Sequence, residues 1–170
     1  MDLRTLIRDV PDFPKPGIIF KDITPLLGHP QALAQAIDAM AEPYLGKGIT
    51  QVVGIESRGF ILAPSVALRL GCGFVPVRKP GKLPWKSKRR DYGLEYGKDA
   101  IEIHEDSLSA RDTVLVVDDV LATGGTMEAA IELVAGCGAK VFGAAFLIDL
   151  AFLGGAKRVL APISAVLTYR

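Results

Sequence analysis

The chain has 170 residues, 49% of them hydrophobic and 23% charged, with a formal net charge of +1. That length is one domain's worth, and the composition is ordinary for a soluble globular protein, which excludes disorder as the main theme. The longest apolar region, Val141 to Gly155, is too short to span a bilayer and holds Asp149, and MDLRTLIRDV has no signal-peptide core, so a cytoplasmic location without membrane contact is expected.

Pro11, Pro14, Pro16 and Gly17 break the opening segment PDFPKPGIIFKD into a shaped loop with one short strand. Pro30 suits the first turn of a helix along which Leu33, Ile37, Ala41 and Tyr44 recur at helical spacing. QVVGIE, after Gly46-Lys47-Gly48, reads as a buried strand, followed by SRG and a helix through Leu70. FVPV, from Phe74, is a second short strand that leads into a basic loop. Leu94 to Tyr96 and Ile101 to His104 alternate like a hairpin around Gly97, with His104 on the polar side as a solvated strand residue. TVLVVDD is a buried strand ending in acids, and a glycine-rich turn then opens a helix from Thr126 to Ala135. KVFGAAFLID and SAVLTY are further strands. Cys72 and Cys137 each follow a helix beside glycine; their spacing suits neither a metal site nor a disulfide framework, and buried free thiols are expected.

Apolar strands alternating with helices imply an α/β fold, a mostly parallel twisted sheet flanked by helices on both faces. Ligands of such sheets bind at the carboxyl ends of the strands. Three loops fall there: Glu56-Ser57-Arg58-Gly59, the basic loop, and Asp118 through Thr126. The basic loop concentrates charge. Arg78, Lys79, Lys82, Lys86, Lys88, Arg89 and Arg90 make seven cations without an acid among them, leaving 13 bases against 19 acids elsewhere. A basic loop on an acidic body suggests a local polyanion site and no nucleic-acid-coating surface.

The strongest signal is VLVVDDVLATGGT, residues 114–126. A buried strand delivers two adjacent carboxylates, Asp118 and Asp119, and the turn through Ala122, Thr123, Gly124, Gly125 and Thr126 starts a helix. Amides at a helix N-terminus, with threonine hydroxyls beside them, form a pocket for a phosphate monoester, and the glycines let the backbone approach closely. The carboxylates can accept hydrogen bonds from neighbouring sugar hydroxyls. Together these parts describe a holder for ribose 5-phosphate. The string lacks the Lys-Ser/Thr of a Walker loop, and no G-x-G-x-x-G occurs.

This string resembles the phosphoribosyl-pyrophosphate motif of the type I phosphoribosyltransferases. Four further stretches resemble the adenine phosphoribosyltransferases of that family: FPKPGIIFKDITPLL (13–27), VVGIESRGF (52–60), VPVRKPGKLP (75–84) and YGLEYGKDAIEIH (92–104). The likeness runs through nearly the whole chain in the family's order. It implies one domain over 1–170, with a small hood contributed by about 11–27 and 92–104. It implies transfer of the 5-phosphoribosyl group from phosphoribosyl pyrophosphate to adenine, giving AMP and pyrophosphate in purine salvage, by a cytoplasmic homodimer. The resemblance assigns Phe20 to one face of adenine and Val120 to the other, the backbone of Ile19 and Lys21 to its Watson–Crick edge, and Tyr96 beside it. Glu95 matches the carboxylate facing N7, and with Arg58, at the base and pyrophosphate, is a catalytic candidate. Glu56, Ser57, Arg58, Arg78, Lys79 and Lys82 fall to pyrophosphate, Asp118 and Asp119 to the ribose hydroxyls, and Ala122 to Thr126 to the 5-phosphate. Mg²⁺ is expected as cofactor, held mainly by substrate. A cis peptide bond is expected at Glu56–Ser57.

The chemistry is coherent unaided. Displacement at the anomeric carbon passes through an oxocarbenium-like state, so the departing pyrophosphate must be neutralised and the attacking base must lose a proton. Two departures from the family pattern stand out: Val120 replaces the usual leucine, and Trp85 to Arg90 is more basic than expected. The seven cations, with Pro80, Gly81 and Pro84, lead to a further expectation, that about 82–92 forms a mobile lid which mutual repulsion keeps open until an anion binds. Two other functions compete: a phosphoribosyltransferase for another base, and a regulator that senses the donor without catalysis. The Phe20 segment and the Glu95 hairpin oppose the first, and the absence of a helix-turn-helix opposes the second.

Overall fold

Runs of valine, isoleucine and leucine bounded by turn residues become the central strands, here in a computed structural model that describes residues 1–94 and 97–170, with side chains except at 94, 97 and 98. Strands β3 (Gln51–Ile55), β4 (Gly73–Val77), β7 (Thr113–Leu121), β8 (Lys140–Leu150) and β9 (Ile163–Tyr169) pair in parallel in the order β4-β3-β7-β8-β9. Their side chains alternate between two cores, as a period of two requires. Val52, Leu115 and Val117 point to a layer containing helices α2 (Pro30–Ala41) and α3 (Gly59–Leu70). Val53, Val114 and Val116 point to one containing α4 (Gly125–Gly136). Parallel neighbours need crossovers; α3 supplies the one from β3 to β4, and α4 the one from β7 to β8.

Two antiparallel ribbons lie outside the main sheet. In the first, β1 (Arg8–Pro11) pairs with β2 (Ile19–Asp22), followed by the one-turn helix α1 (Thr24–Leu27). The one short strand expected within PDFPKPGIIFKD is β2, while β1, almost wholly ahead of that segment, has four mostly exposed residues that carry no alternation. In the second ribbon β5 (Ser87–Leu94) pairs with β6 (Gly97–His104). This hairpin is longer than the alternation suggested, and it corrects the expectation that 82–92 lacks regular structure, because 87–92 is strand packed beside α4. The cations counted along the chain find acids that the fold brings to them: Arg90 meets Glu132, and Arg78 and Lys82 meet Glu56. Likewise β7 continues through the acids to Leu121 instead of ending at them. Cys72 and Cys137 are free, as expected, but half-buried instead of buried.

Candidate active site

Three strand ends meet at one cavity of about 430 Å³. Past the end of β3 come Glu56, Ser57 and Arg58, with a cis peptide bond between the first two. Lys79 follows the end of β4, and β7 presents Asp118 and Asp119. Thr126 adds the start of α4, and the hairpin contributes Tyr92 and Asp99. Seven residues expected from sequence therefore share one wall or another of a single cavity.

The phosphate end is made of backbone. Beyond Leu121 the chain turns through Ala122-Thr123-Gly124 into α4, with Gly124 at φ 85°, a left-handed conformation that suits glycine. A recess of about 70 Å³ opens over this turn, lined among others by Val120, Ala122, Thr123, Gly124, Gly125 and Thr126. Amides of the first helical turn lack partners within the helix and carry its positive end, which suits a phosphate. The turn is backed by another backbone. A Cβ on Gly124 would lie 2.5 Å from the Gly155 carbonyl oxygen, and one on Gly155 only 2.2 Å from the Ala122 carbonyl oxygen.

Beside that turn, Asp119 is 4% exposed and its Oδ2 lies 2.7 Å from Arg58 Nε. No hydrogen bond of good geometry reaches that oxygen among the described residues. Asp118 Oδ1 accepts from the Asp119 backbone N–H at 2.9 Å. Burial, then the Asp119 charge, pushes Asp118 well above the usual carboxylate range, and burial raises Asp119 against the opposing pull of Arg58. Two acceptors with few donors are suited to hydroxyls. The Arg58 guanidinium also lies 4.7 Å from the centroid of the Phe20 ring, which meets Phe13 edge-on at 5.1 Å. Arg58 thus joins β2 to the carboxylates.

The opposite end is made of side chains. Arg78 Nε and Nη2 each donate to Glu56 at 3.3 Å, Lys82 Nζ donates at 2.8 Å, and the Lys79 amide at 2.8 Å. Burial acts to raise Glu56, but these donors and the Arg78 charge outweigh it and hold the carboxyl at about 2. Lys79 Nζ contacts Asp99 and the Tyr92 hydroxyl; that hydroxyl also donates to Asp99 at 3.1 Å and accepts from Thr126 Oγ1 at 3.4 Å. Burial lowers Lys79, yet Asp99 and Tyr92 raise it overall, and the same lysine holds Asp99 down against its own burial.

Of the residues expected at adenine, Ile19 is exposed on β2, and Lys21 reaches Asp9 at 2.6 Å and the Tyr169 ring at 4.3 Å. Glu95 and Tyr96 lie outside the described residues. Sequence reading missed Tyr92 and Asp99. A signal for Asp99 existed: it shares a strand face with Ile101 and Ile103, both fully buried, so an acid on that face points inward. Tyr92 stands opposite Asp99 in the ladder.

The chain matches the model of the phosphoribosyl transferase domain over residues 24–161. It is similar to the adenine phosphoribosyltransferase of Maricaulis maris, 54% identical over 172 residues, covering 99% of this chain and 98% of that one. Among solved structures, the adenine phosphoribosyltransferase of Rhodothermus marinus superposes with a TM-score of 0.94 at 56% identity, covering 98% of this chain and 96% of that one. The Saccharomyces cerevisiae adenine phosphoribosyltransferase, solved with an imino-altritol bisphosphate and adenine, gives 0.93 at 40% identity, covering 98% and 97%.

Proposed function

We propose a role for each part of the site from one premise: the chain belongs to the phosphoribosyl transferase domain family and, within it, to the adenine phosphoribosyltransferases. It is an enzyme that transfers the 5-phosphoribosyl group from phosphoribosyl pyrophosphate to adenine, giving AMP and pyrophosphate. One observation carries the geometric side of this conclusion. The Asp118–Asp119 pair, held by Arg58, shares one cavity with Lys79, and the recess over the phosphate turn adjoins it, with Asp118 and Thr126 lining both. A sugar phosphate with an anionic leaving group at its anomeric carbon fits that order of groups.

In this reading the turn from Ala122 to Thr126 takes the 5-phosphate, and Asp118 and Asp119 take the ribose hydroxyls. Glu56, Ser57, Arg58, Arg78, Lys79 and Lys82 surround the pyrophosphate, so that the bond from the anomeric carbon to its oxygen breaks beside positive charge. Glu56 keeps three of these donors in place until the anion takes them over. Mg²⁺ supplies charge neutralisation on the leaving group when bound. In this reading the ion is held mainly by substrate; among the described residues no three His, Cys, Asp or Glu gather as a metal site.

Adenine lies at the hood, formed by about 11–27 and 92–104 of a domain spanning 1–170, with Phe20 and Val120 on its faces and Tyr96 beside it. Ile19 stands opposite Pro11, which has no N–H to donate. Ile19 and Lys21 therefore turn their backbone groups to the unpaired edge of β2, available to the base. Glu95 accepts the proton lost from N7 as the new bond to the anomeric carbon forms. The protein acts as a cytoplasmic homodimer; among the described residues no helix is long and apolar enough to cross a membrane.

The test is pyrophosphate release from donor and Mg²⁺ with a panel of bases. Adenine is expected to exceed hypoxanthine by about 10⁴-fold, because hypoxanthine reverses both hydrogen-bond polarities at Ile19 and Lys21. Comparable turnover of hypoxanthine overturns the base assignment.

A further inference from the structure

Beside the phosphate turn lies a charged pair with no part in the reading above. Arg158 closes a 3-10 turn, Gly155–Arg158, that follows β8 and crosses the start of α4. A Cβ on Gly124 would come 3.2 Å from the Arg158 Cβ, and one on Gly125 would come 3.3 Å from its Nη1. Arg158 Nε donates to Glu128 Oε2 at 3.0 Å, and Nη2 makes a shorter contact with the same oxygen. Glu128 stands in the first turn of α4, its amide bonded to the Gly124 carbonyl at 2.9 Å. An acid in that position draws on the same positive helix end that a phosphate needs, and its charge opposes the phosphate directly.

We propose that Arg158 is a positioning residue for the donor's phosphate monoester. It cancels the Glu128 charge in the first turn of α4, behind the phosphate recess, with its Cβ against Gly124 and its guanidinium against Gly125. The proposal rests on the assignment of residues 122–126 to the 5-phosphate. Stability alone does not account for the pair. Its side chains are 44% and 35% exposed, and so open an ion pair contributes about 0–1 kcal/mol to folding. A dianion bound one helical turn away feels the uncancelled acid much more strongly than the fold does.

The experiment is steady-state kinetics on the full chain, varying phosphoribosyl pyrophosphate at saturating adenine and the reverse. Arg158→Ala is expected to raise the donor KM roughly tenfold, leaving kcat and the adenine KM within about twofold. Arg158→Lys retains most of the donor affinity. Adding Glu128→Gln to Arg158→Ala brings the donor KM back to within about twofold of the parent, since the acid that required cancelling is gone. If Arg158→Ala does not fold, Arg158→Gln carries the same comparison, with circular dichroism and thermal melting as the check. Thr126→Ala tests the underlying assignment separately and also raises the donor KM. A rise with Thr126→Ala but none with Arg158→Ala overturns the role of Arg158 alone, and failure of Glu128→Gln to rescue overturns charge cancellation. No rise with either single variant overturns the phosphate turn, and the proposal with it.

Discussion

Backbone builds the phosphate end of the cavity, and long side chains build the opposite end. At the first, Gly124 and Gly155 put two stretches of main chain so close that a single methyl group would force one to move. At the second, Arg78, Lys79 and Lys82 rest on Glu56 and Asp99. The backbone end is shaped by main chain packed on main chain, which leaves it little room to rearrange. At the side-chain end three cations rest on two carboxylates, so an arriving anion must take cations away from carboxylates that already hold them. Pre-organisation and charge pairing are different ways to keep a polyanion site stable, and substitutions should tell them apart.

The largest expected effect belongs to neither end and sets the scale. Glu95→Gln should lower kcat by roughly 10²–10⁴-fold while calorimetry shows donor affinity little changed, because a proton acceptor at the base is lost and nothing that holds the donor. At the backbone end, Gly155→Ala should cost around 100-fold in kcat/KM for the donor, the scale of a displacement near 1 Å, since its Cβ would sit 2.2 Å from a carbonyl that cannot swing aside. Kinetics near the parent's would mean that the turn is not held from behind. At the side-chain end the signature is pH. The depressed Glu56 carboxyl contributes stability above its ordinary value of 4.5, and that contribution is lost as pH falls towards about 2. Melts of the ligand-free protein should lose about 1–2 kcal/mol across that window after allowance for screening, and Glu56→Gln should flatten the loss. The smallest effect has the opposite sign to all the rest. Asp99→Asn removes a competitor for Lys79, so pyrophosphate should bind about 2–5-fold more tightly by calorimetry. Weaker binding would show that Asp99 aims the lysine instead of restraining it.

The same contrast explains what could be read from the sequence. The phosphate turn and the carboxylate pair occupy adjacent positions, so strand, acids, glycines and helix start appear as one string, and the α/β alternation around them follows from apolar runs. The opposite end is assembled from β3, β4 and the hairpin. Its cations were visible as a cluster, but the acids that hold them lie far along the chain. Counting charge along the sequence therefore gave repulsion and an irregular loop where the fold has ion pairs and a strand. Tyr92 and Asp99 meet only through the register of β5 with β6. Arg158 carries no local signal at all, because its relation to α4 arises from a chain reversal beyond β8. The adenine side, Ile19, Phe20 and Glu95, was legible only by resemblance, since a short exposed strand and a lone glutamate have no distinguishing pattern.

The parallel pairing of β3 with β7 also bears on how the molecule is made. Thr113 donates to Thr50 across 63 positions of chain, and Glu56 and Asp118 become neighbours only when that junction has closed. Closing so distant a contact costs chain entropy before any pairing is gained, which makes it a late and slow event in folding. An incomplete chain therefore offers the donor nothing to grip. The donor should leave the refolding rate almost untouched and act as a brake on unfolding, so that its protection is kinetic and grows with the ligand concentration around the finished protein.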